Sequence, residues 1–277
     1  MTKRIIVTGS SGYIGQHLCK LLQESNYEVI GLDLVSNTDN VAAFKRRDIN
    51  SLFNFELDSL VCDTVVHLAA LVRVNESVDY PALYYKTNLL GTMNVLEQIE
   101  FKNFIFASTG AASSPASPYG LSKRCAEDVV ASYCKKHVKT FTTFRFYNVL
   151  GSVGIPPTNP DGLFYNLIKA QETGEFNLYG DDYNTPDGSP IRDYVHVMEI
   201  CHAIKTAIEM PANGLENLGH GHGFSVKEIV NIYKDVNDCD FKVNILPRRA
   251  GDLEKTVLDN PSSYLRQMYI IEELLKK

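Results

Sequence analysis

The chain has 277 residues, 44% of them apolar, enough for a full hydrophobic core without disulfide staples or a structural metal. Its formal net charge of −6 argues against nucleic acid or an anionic membrane surface as a partner, since both attract basic faces. The six cysteines (19, 62, 125, 134, 201 and 239) form no Cys-x-x-Cys pair, so reduced thiols in the cytoplasm are expected rather than a zinc or disulfide scaffold. No run reaches the length of a membrane span, and the apolar stretch after Lys3 is too short for a signal peptide. His220 and His222 stand in a Gly-His-Gly-His-Gly loop with no third ligand near them in sequence, so no metal is expected.

The first 150 residues alternate β-branched runs with longer amphipathic stretches, which predicts a doubly wound α/β fold, a parallel sheet covered by helices. A strand over 4–8 runs into a helix over 12–25. Strands follow at 28–33 and 64–67, then a long helix over 77–98, a strand at 103–107, a helix over 119–137 and a strand at 140–146. Three of these strand runs are almost continuously apolar, as strands buried on both faces are. Beyond residue 150, segments 151–162 and 180–190 are rich in Gly, Pro, Asn and Asp and read as ordered loops over a binding face. A strand over 192–197 and a helix over 198–210 should return to the first domain. After them come 215–218, a helix over 225–238, a strand at 242–246 and a short helix near 270–277. The expected division is a first domain of residues 1–160 with 190–217 and a smaller α/β substrate lobe of 161–189 with 218–277, with a cleft between them.

The first strand leads directly into Gly9-Ser-Ser-Gly12-Tyr-Ile-Gly15 and then a helix. Glycines let backbone approach a pyrophosphate, and a helix N-terminus offers unpaired N–H groups and a favourable dipole. Asp33 closes the second strand, eighteen residues after Gly15. A carboxylate there accepts hydrogen bonds from an adenosine ribose and repels a 2′-phosphate, so NAD is expected over NADP. Tyr13 and Ile14 read as core residues of the first helix.

Tyr119-Gly-Leu-Ser-Lys123 places a phenol and an amine one helical turn apart on one face. An ammonium beside a phenol stabilises the phenolate and lets it act as a base near neutrality. The spacing recurs at Tyr165 and Lys169, with no other catalytic feature beside it. The first copy opens the helix after strand 103–107, whose C-terminal end carries Ser108 and Thr109. That end of a strand is where an open α/β sheet places its ligand. Thr109 can hydrogen-bond the reacting oxygen.

With these motifs in place, the chain resembles the extended short-chain dehydrogenases/reductases, and within them the UDP-glucose (UDP-galactose) 4-epimerase family. The resemblance runs from residue 3 to about 260 through VTGSSGYIG, HLAALVRVNES, YYKTNLLGT, NFIFAST, SPYGLSK, RFYNVLG, TPDGSPIRDYVHVMEI, NLGHGHGFSV and PRRAGDL. It implies a Rossmann domain holding NAD and an enzyme that inverts C4 of a nucleotide-diphosphate sugar, a UDP-sugar in the first place, through a 4-keto intermediate. Gly9, Gly12, Tyr13, Ile14, Gly15, Asp33, Asp48, Ile49, Leu68, Ala69, Ala70, Asn88, Tyr119, Lys123 and Phe146 would then line the cofactor. Thr109, Tyr119 and Lys123 would be catalytic. Asn148, Tyr179, Arg192, Arg249 and Asp252 would bind the sugar nucleotide, the arginines through phosphate oxygens. Family members pair as homodimers through the helices here at 77–98 and 119–137.

The chain also departs from the family. Thr109 and Tyr119 are ten residues apart, so the long loop usual between them is almost absent. Val72, followed by Arg73, stands where a lysine commonly meets the cofactor phosphates. Thr256 stands where a residue limits space beside the sugar, leaving room for an N-acetyl group. Three other functions compete with epimerisation. A 4,6-dehydratase needs a carboxylate after the threonine, but Gly110-Ala111-Ala112 follows Thr109. An NADPH-dependent reductase is opposed by Asp33. A non-catalytic NAD-binding regulator would have no use for the Thr-Tyr-Lys set or the two arginines.

Overall fold

The computed structural model describes residues 2–36, 39–51, 60–249, 252–265, 269 and 271–276. The chain divides into two compact units, Met1–Arg145 with Cys201–Glu216, and Phe146–Ile200 with Asn217–Lys277.

The first unit is built on Ile5, Ile6 and Val7, fully buried in strand β1 (Arg4–Thr8), because β-branched side chains fill both faces of a parallel sheet. The chain continues through α1 (Tyr13–Glu24), β2 (Glu28–Asp33), β3 (Ala43–Arg46), β4 (Leu60–Val61), β5 (Thr64–His67), α2 (Val74–Asp79), α3 (Pro81–Tyr84) and a π-helical turn over Tyr85–Leu90. Then come α4 (Gly91–Gln98), β6 (Ile99–Glu100), β7 (Asn103–Thr109), a 3-10 turn over Gly110–Ala112, α5 (Pro118–Lys136) and β8 (Thr140–Phe146). With β12 (Gly214–Leu218) at its edge, the seven-stranded sheet has the order β12-β8-β7-β5-β1-β2-β3. β1 pairs in parallel with both β2 and β5, so chain order runs outward from it in both directions. Such a reversal point is where doubly wound sheets bind ligands, at the strands' C-terminal ends.

Three differences from the expected elements appear here. The helix expected over 77–98 is interrupted at Tyr80, because Pro81 lacks an N–H and its ring collides with the carbonyl four residues back. Strand β7 runs on through Thr109, two residues beyond the expected end. Edge strand β3 was not expected, since Ala-Phe-Lys-Arg is short and half-exposed and carries no clear periodicity.

The second unit contains β9 (Asn148–Leu150), α6 (Leu163–Thr173), β10 (Glu175–Tyr179) and β11 (Ile191–His196). The chain passes through α7 (Val197–Glu209), which straddles both units, to β13 (Gly223–Ser225), α8 (Val226–Val236), β14 (Lys242–Leu246), β15 (Lys255–Thr256) and α9 (Ile271–Leu274). β11 pairs with β9, β13 and β15, and β10 pairs in parallel with β14. Phe164, Leu167, Phe176, Ile229 and Tyr233 form its core. Helix α6 was not expected from sequence; it stops at Gly174, which takes φ +80° as a left-handed C-cap. Residues 270 and 277, the expected ends of the last helix, lie outside the described residues.

Candidate active site

The Gly9 loop follows β1 at the reversal point. Gly9 has φ +72°, and a Cβ there would lie 2.7 Å from the Ala69 nitrogen. A Cβ on Gly15 would lie 2.1 Å from the Gly9 oxygen. Helix α1 starts at Gly12 with no side-chain cap and no acid in its first turn, which leaves its positive end suited to an anion. The Ser10 hydroxyl beneath the loop is buried with no partner. Asp33 accepts from Ser11 N–H through one oxygen (3.0 Å) and from Leu34 N–H through the other (2.7 Å), which fixes a carboxylate at the end of β2. Leu68 and Ala69 donate N–H bonds to Thr8, and Ala70 follows, half-buried. Asp48 caps Asn50 N–H at 2.8 Å, and the Ile49 carbonyl accepts from Asn94 at 2.7 Å. Tyr13 packs edge-on against His17 within α1, and burial pushes its phenol up; Ile14 beside it is half-buried. A glycine cradle that tolerates no Cβ, an uncapped helix start and a fixed carboxylate on the next strand fit a dinucleotide. Val72 is exposed, and the Arg73 guanidinium lies 3.4 Å from Glu76.

Two strands along the sheet from β1, β7 ends at Thr109, and α5 begins at Pro118 after the 3-10 turn. Ser117 accepts from Gly120 N–H as N-cap, and Pro118 takes the first helical position. That start buries Tyr119 and Lys123 one turn apart on α5. The Lys123 ammonium lies 4.1 Å from the Phe106 ring centroid. Burial lowers Lys123 to about 7, and the Glu127 carboxylate opposes that shift. Burial raises the Tyr119 phenol, while a hydrogen bond from Thr109 favours its phenolate. Tyr84 meets the Tyr119 ring edge-on, 6.3 Å between centroids. Buried Asn88, in the π-helical turn, accepts from Leu71 N–H (2.8 Å) and donates to Leu71 O and to Ser122 Oγ. Ser122 in turn donates to the Tyr119 carbonyl, so Asn88 braces the helix that carries the phenol. Phe146 is buried at the end of β8. Sequence reasoning gave Glu127 and Arg145 no role and named Ser108 only as the neighbour of Thr109, although Glu127 stands at the i+4 position from Lys123 that helical spacing flags; the three bond to one another. The second Tyr-x-x-x-Lys copy lies on α6, where Lys169 pairs with Glu172.

In the second unit, Arg192 on β11 meets Asp252 at 2.5 Å. The Asp252 N–H donates to the Arg249 carbonyl, and the Arg249 guanidinium lies 3.9 Å from the Tyr179 ring centroid. Asn148 on β9 donates to the Asp193 carbonyl at 3.2 Å, while Thr256 stands opposite Arg192 in the β11–β15 register. The structure thus gathers Tyr179, Arg192, Arg249 and Asp252 through one short segment, with Asn148 on the neighbouring strand. The fully buried Asp193 carboxylate accepts from His220 N–H (2.9 Å) and Gly221 N–H (2.8 Å). His220 pairs with Glu199 at 2.9 Å, which holds its imidazole above the ordinary histidine value, and His222 packs against Phe224. Among the described residues no group of three His, Cys, Asp or Glu could hold a metal. All six cysteines are free, and no described helix is long and apolar enough to cross a membrane.

The sheet order, the glycine cradle and the buried Tyr-Lys pair define a class, the Rossmann-type dinucleotide-binding proteins. Comparison with known proteins narrows it. The model of the NAD dependent epimerase/dehydratase family matches residues 5–232, and the chain belongs to that family. It is 32% identical to the UDP-glucose 4-epimerase of Halalkalibacterium halodurans, over 90% of this chain and 84% of that one. Among solved structures, the UDP-glucose 4-epimerase of Thermotoga maritima with UDP-glucose superposes with TM-score 0.86 at 29% identity, covering 98% of this chain and 96% of that one. The UDP-Glc/GlcNAc 4-epimerase of Campylobacter jejuni gives TM-score 0.80 at 28% identity, covering 99% and 97%.

Proposed function

We propose that this enzyme inverts C4 of UDP-sugars, UDP-glucose and UDP-galactose or their N-acetyl analogues, with NAD held by the first unit and the nucleotide sugar by the second. One observation carries the reading: a buried phenol and amine one turn apart, with a threonine hydroxyl on the phenol, where the Rossmann sheet places a ligand. NAD⁺ held by the Gly9 loop and Asp33 would supply the hydride acceptor and donor that inversion through a 4-keto sugar requires. Tyr119, as phenolate, takes the proton of the 4-hydroxyl and gives it back on the return step, so proton and hydride both balance over a turnover. Lys123 holds the negative charge on the phenol, and the Thr109 hydroxyl steadies the reacting oxygen. Arg192 and Arg249 grip the diphosphate, Asp252 the ribose, Tyr179 the base and Asn148 the phosphate, anchoring the sugar nucleotide by parts that do not react. Asp33 selects NAD by its carboxylate. Gly110, Ala111 and Ala112 offer no proton carrier for elimination, which weighs against dehydration.

We further propose that the enzyme works in the cytoplasm, where six free thiols stay reduced, and as a homodimer. Leu83, Leu90, Met93 and Leu121 stand exposed on α3, the π-helical turn, α4 and α5 and would form the pairing face.

The test is incubation with UDP-glucose and with UDP-GlcNAc, with C4 inversion followed by NMR. The Tyr119→Phe variant should bind both sugars and lose about 10²–10⁴-fold in turnover. Inversion of neither sugar by the native protein, or undiminished turnover by the variant, refutes the proposal.

A further inference from the structure

Glu127 lies one turn beyond Lys123 on α5, the spacing at which a lysine and a glutamate ordinarily pair. In a buried setting such a pair would be strong, and it would draw the ammonium along the helix away from Tyr119. Here the two do not pair. The Glu127 carboxylate is 4% exposed, and both of its oxygens are taken. Oε1 accepts from Ser108 Oγ at 2.5 Å and from Arg145 Nε at 2.8 Å, and Oε2 accepts from Arg145 Nη2 at 2.6 Å. The Arg145 side chain is only 8% exposed, so a two-pronged ion pair is closed off from water. Lys123 rests over Phe106 instead. Ser108 and Phe106 lie on β7, which ends at Thr109, and Arg145 lies on β8.

We infer that Arg145 and Ser108 are positioning residues for the Tyr119–Lys123 pair: by saturating the Glu127 carboxylate, they keep it from capturing the Lys123 ammonium. This rests on the reading of Tyr119 as the base. With both carboxylate oxygens engaged by Arg145 and Ser108, the Lys123 ammonium stays over Phe106, one turn from the phenol, instead of closing an ion pair with Glu127. On β5, His67 is buried and held neutral. On α3, the Tyr84 hydroxyl donates to Glu76 of α2, whose other oxygen faces Arg73. From the π-helical turn, Asn88 presents a neutral amide.

The experiment is the pH dependence of kcat/KM for C4 inversion in single and double variants. Arg145→Met leaves Glu127 uncompensated about two helical turns from the phenol, and the acid limb should move up by about one pH unit. Glu127→Gln leaves Arg145 uncompensated, and the limb should move down by about as much. The double variant Glu127→Gln/Arg145→Met should bring the limb back to its native position, and Arg145→Lys should leave it nearly in place. A purely structural role gives a different pattern: lower activity in both singles, no movement of the limb and no rescue in the double. That pattern overturns the inference. Should Arg145→Met fail to fold, Glu127→Gln and the double variant carry the same comparison. Each background is paired with Tyr119→Phe. Full turnover by that protein removes the base itself and this inference with it, whereas turnover that needs Tyr119 while the limb stays fixed removes this inference alone.

Discussion

His67 lies 1% exposed at the end of β5, and its two ring nitrogens are both used. Nδ1 stands 2.6 Å from Thr8 Oγ1 and Nε2 stands 3.0 Å from Thr92 Oγ1. Thr92 spends its proton on the Asn88 carbonyl, so it can only accept from Nε2–H, and Nδ1 must then accept from Thr8. A second ring proton would face a hydroxyl already donating. Burial, with Lys123 adding to it, accordingly lowers His67 to about 3. The folded value lies below the unfolded one, so the neutral ring stabilises the native state above the ordinary histidine pKa, and that stability is lost as pH falls from about 6.5 toward 3. The loss should run at about 1.4 kcal/mol per pH unit. Urea unfolding of the native protein and of His67→Gln, from neutrality to about pH 4, should show the variant less stable at neutrality but flatter with acid. Parallel slopes would mean that the imidazole does not titrate as argued.

At the scale of elements, the ends of helices fix the loops that carry the site. Ser225 and Glu228 form a reciprocal capping box at the start of α8. The same hydroxyl bonds the Asp187 carboxylate, which also takes the Ser189 N–H at 2.8 Å. One serine thus joins a helix start to the loop that leads into β11 and Arg192. Ser225→Ala should cost about 1–2 kcal/mol, read as a fall in the urea midpoint with unchanged slope. A loss within a few tenths of a kcal/mol would show the cap to be replaceable by water. The bend at Pro81 works in the opposite sense: it ends one helix so that the π-helical turn can place Asn88 against Leu71 and Ser122.

For the whole molecule, the exposed apolar residues of α3, the π-helical turn, α4 and α5 bear on assembly. Single exposed leucines are ordinary, but Leu83, Leu90, Met93 and Leu121 fall on helices that pack against one another within the first unit. Sedimentation should give twice the chain mass, and Leu90→Glu combined with Met93→Lys should shift it to the monomer. A native monomer at micromolar concentration would remove the dimer.

The parallel strands, the glycine turn and the Tyr-Lys helix were legible in the sequence because each is a local pattern: β-branched runs, glycines before a helix, and polar residues one turn apart. Gly9, Gly15 and Asp33 acquire meaning within thirty residues of chain. Other features depended on the fold. Asn88 reaches Leu71 and Ser122 only after a proline breaks its helix, and Arg145 on β8 meets Glu127 on α5 from the next element of the chain, which no motif marks. Strand β3 is too short and too exposed to show an alternation, whereas α6 buries Phe164, Leu167 and Ala170 at a three-residue spacing that the sequence does carry. Periodicity records which face of a segment is buried. Which buried polar groups satisfy one another, and so which charge is left free to act, is decided only when segments distant in sequence are packed together.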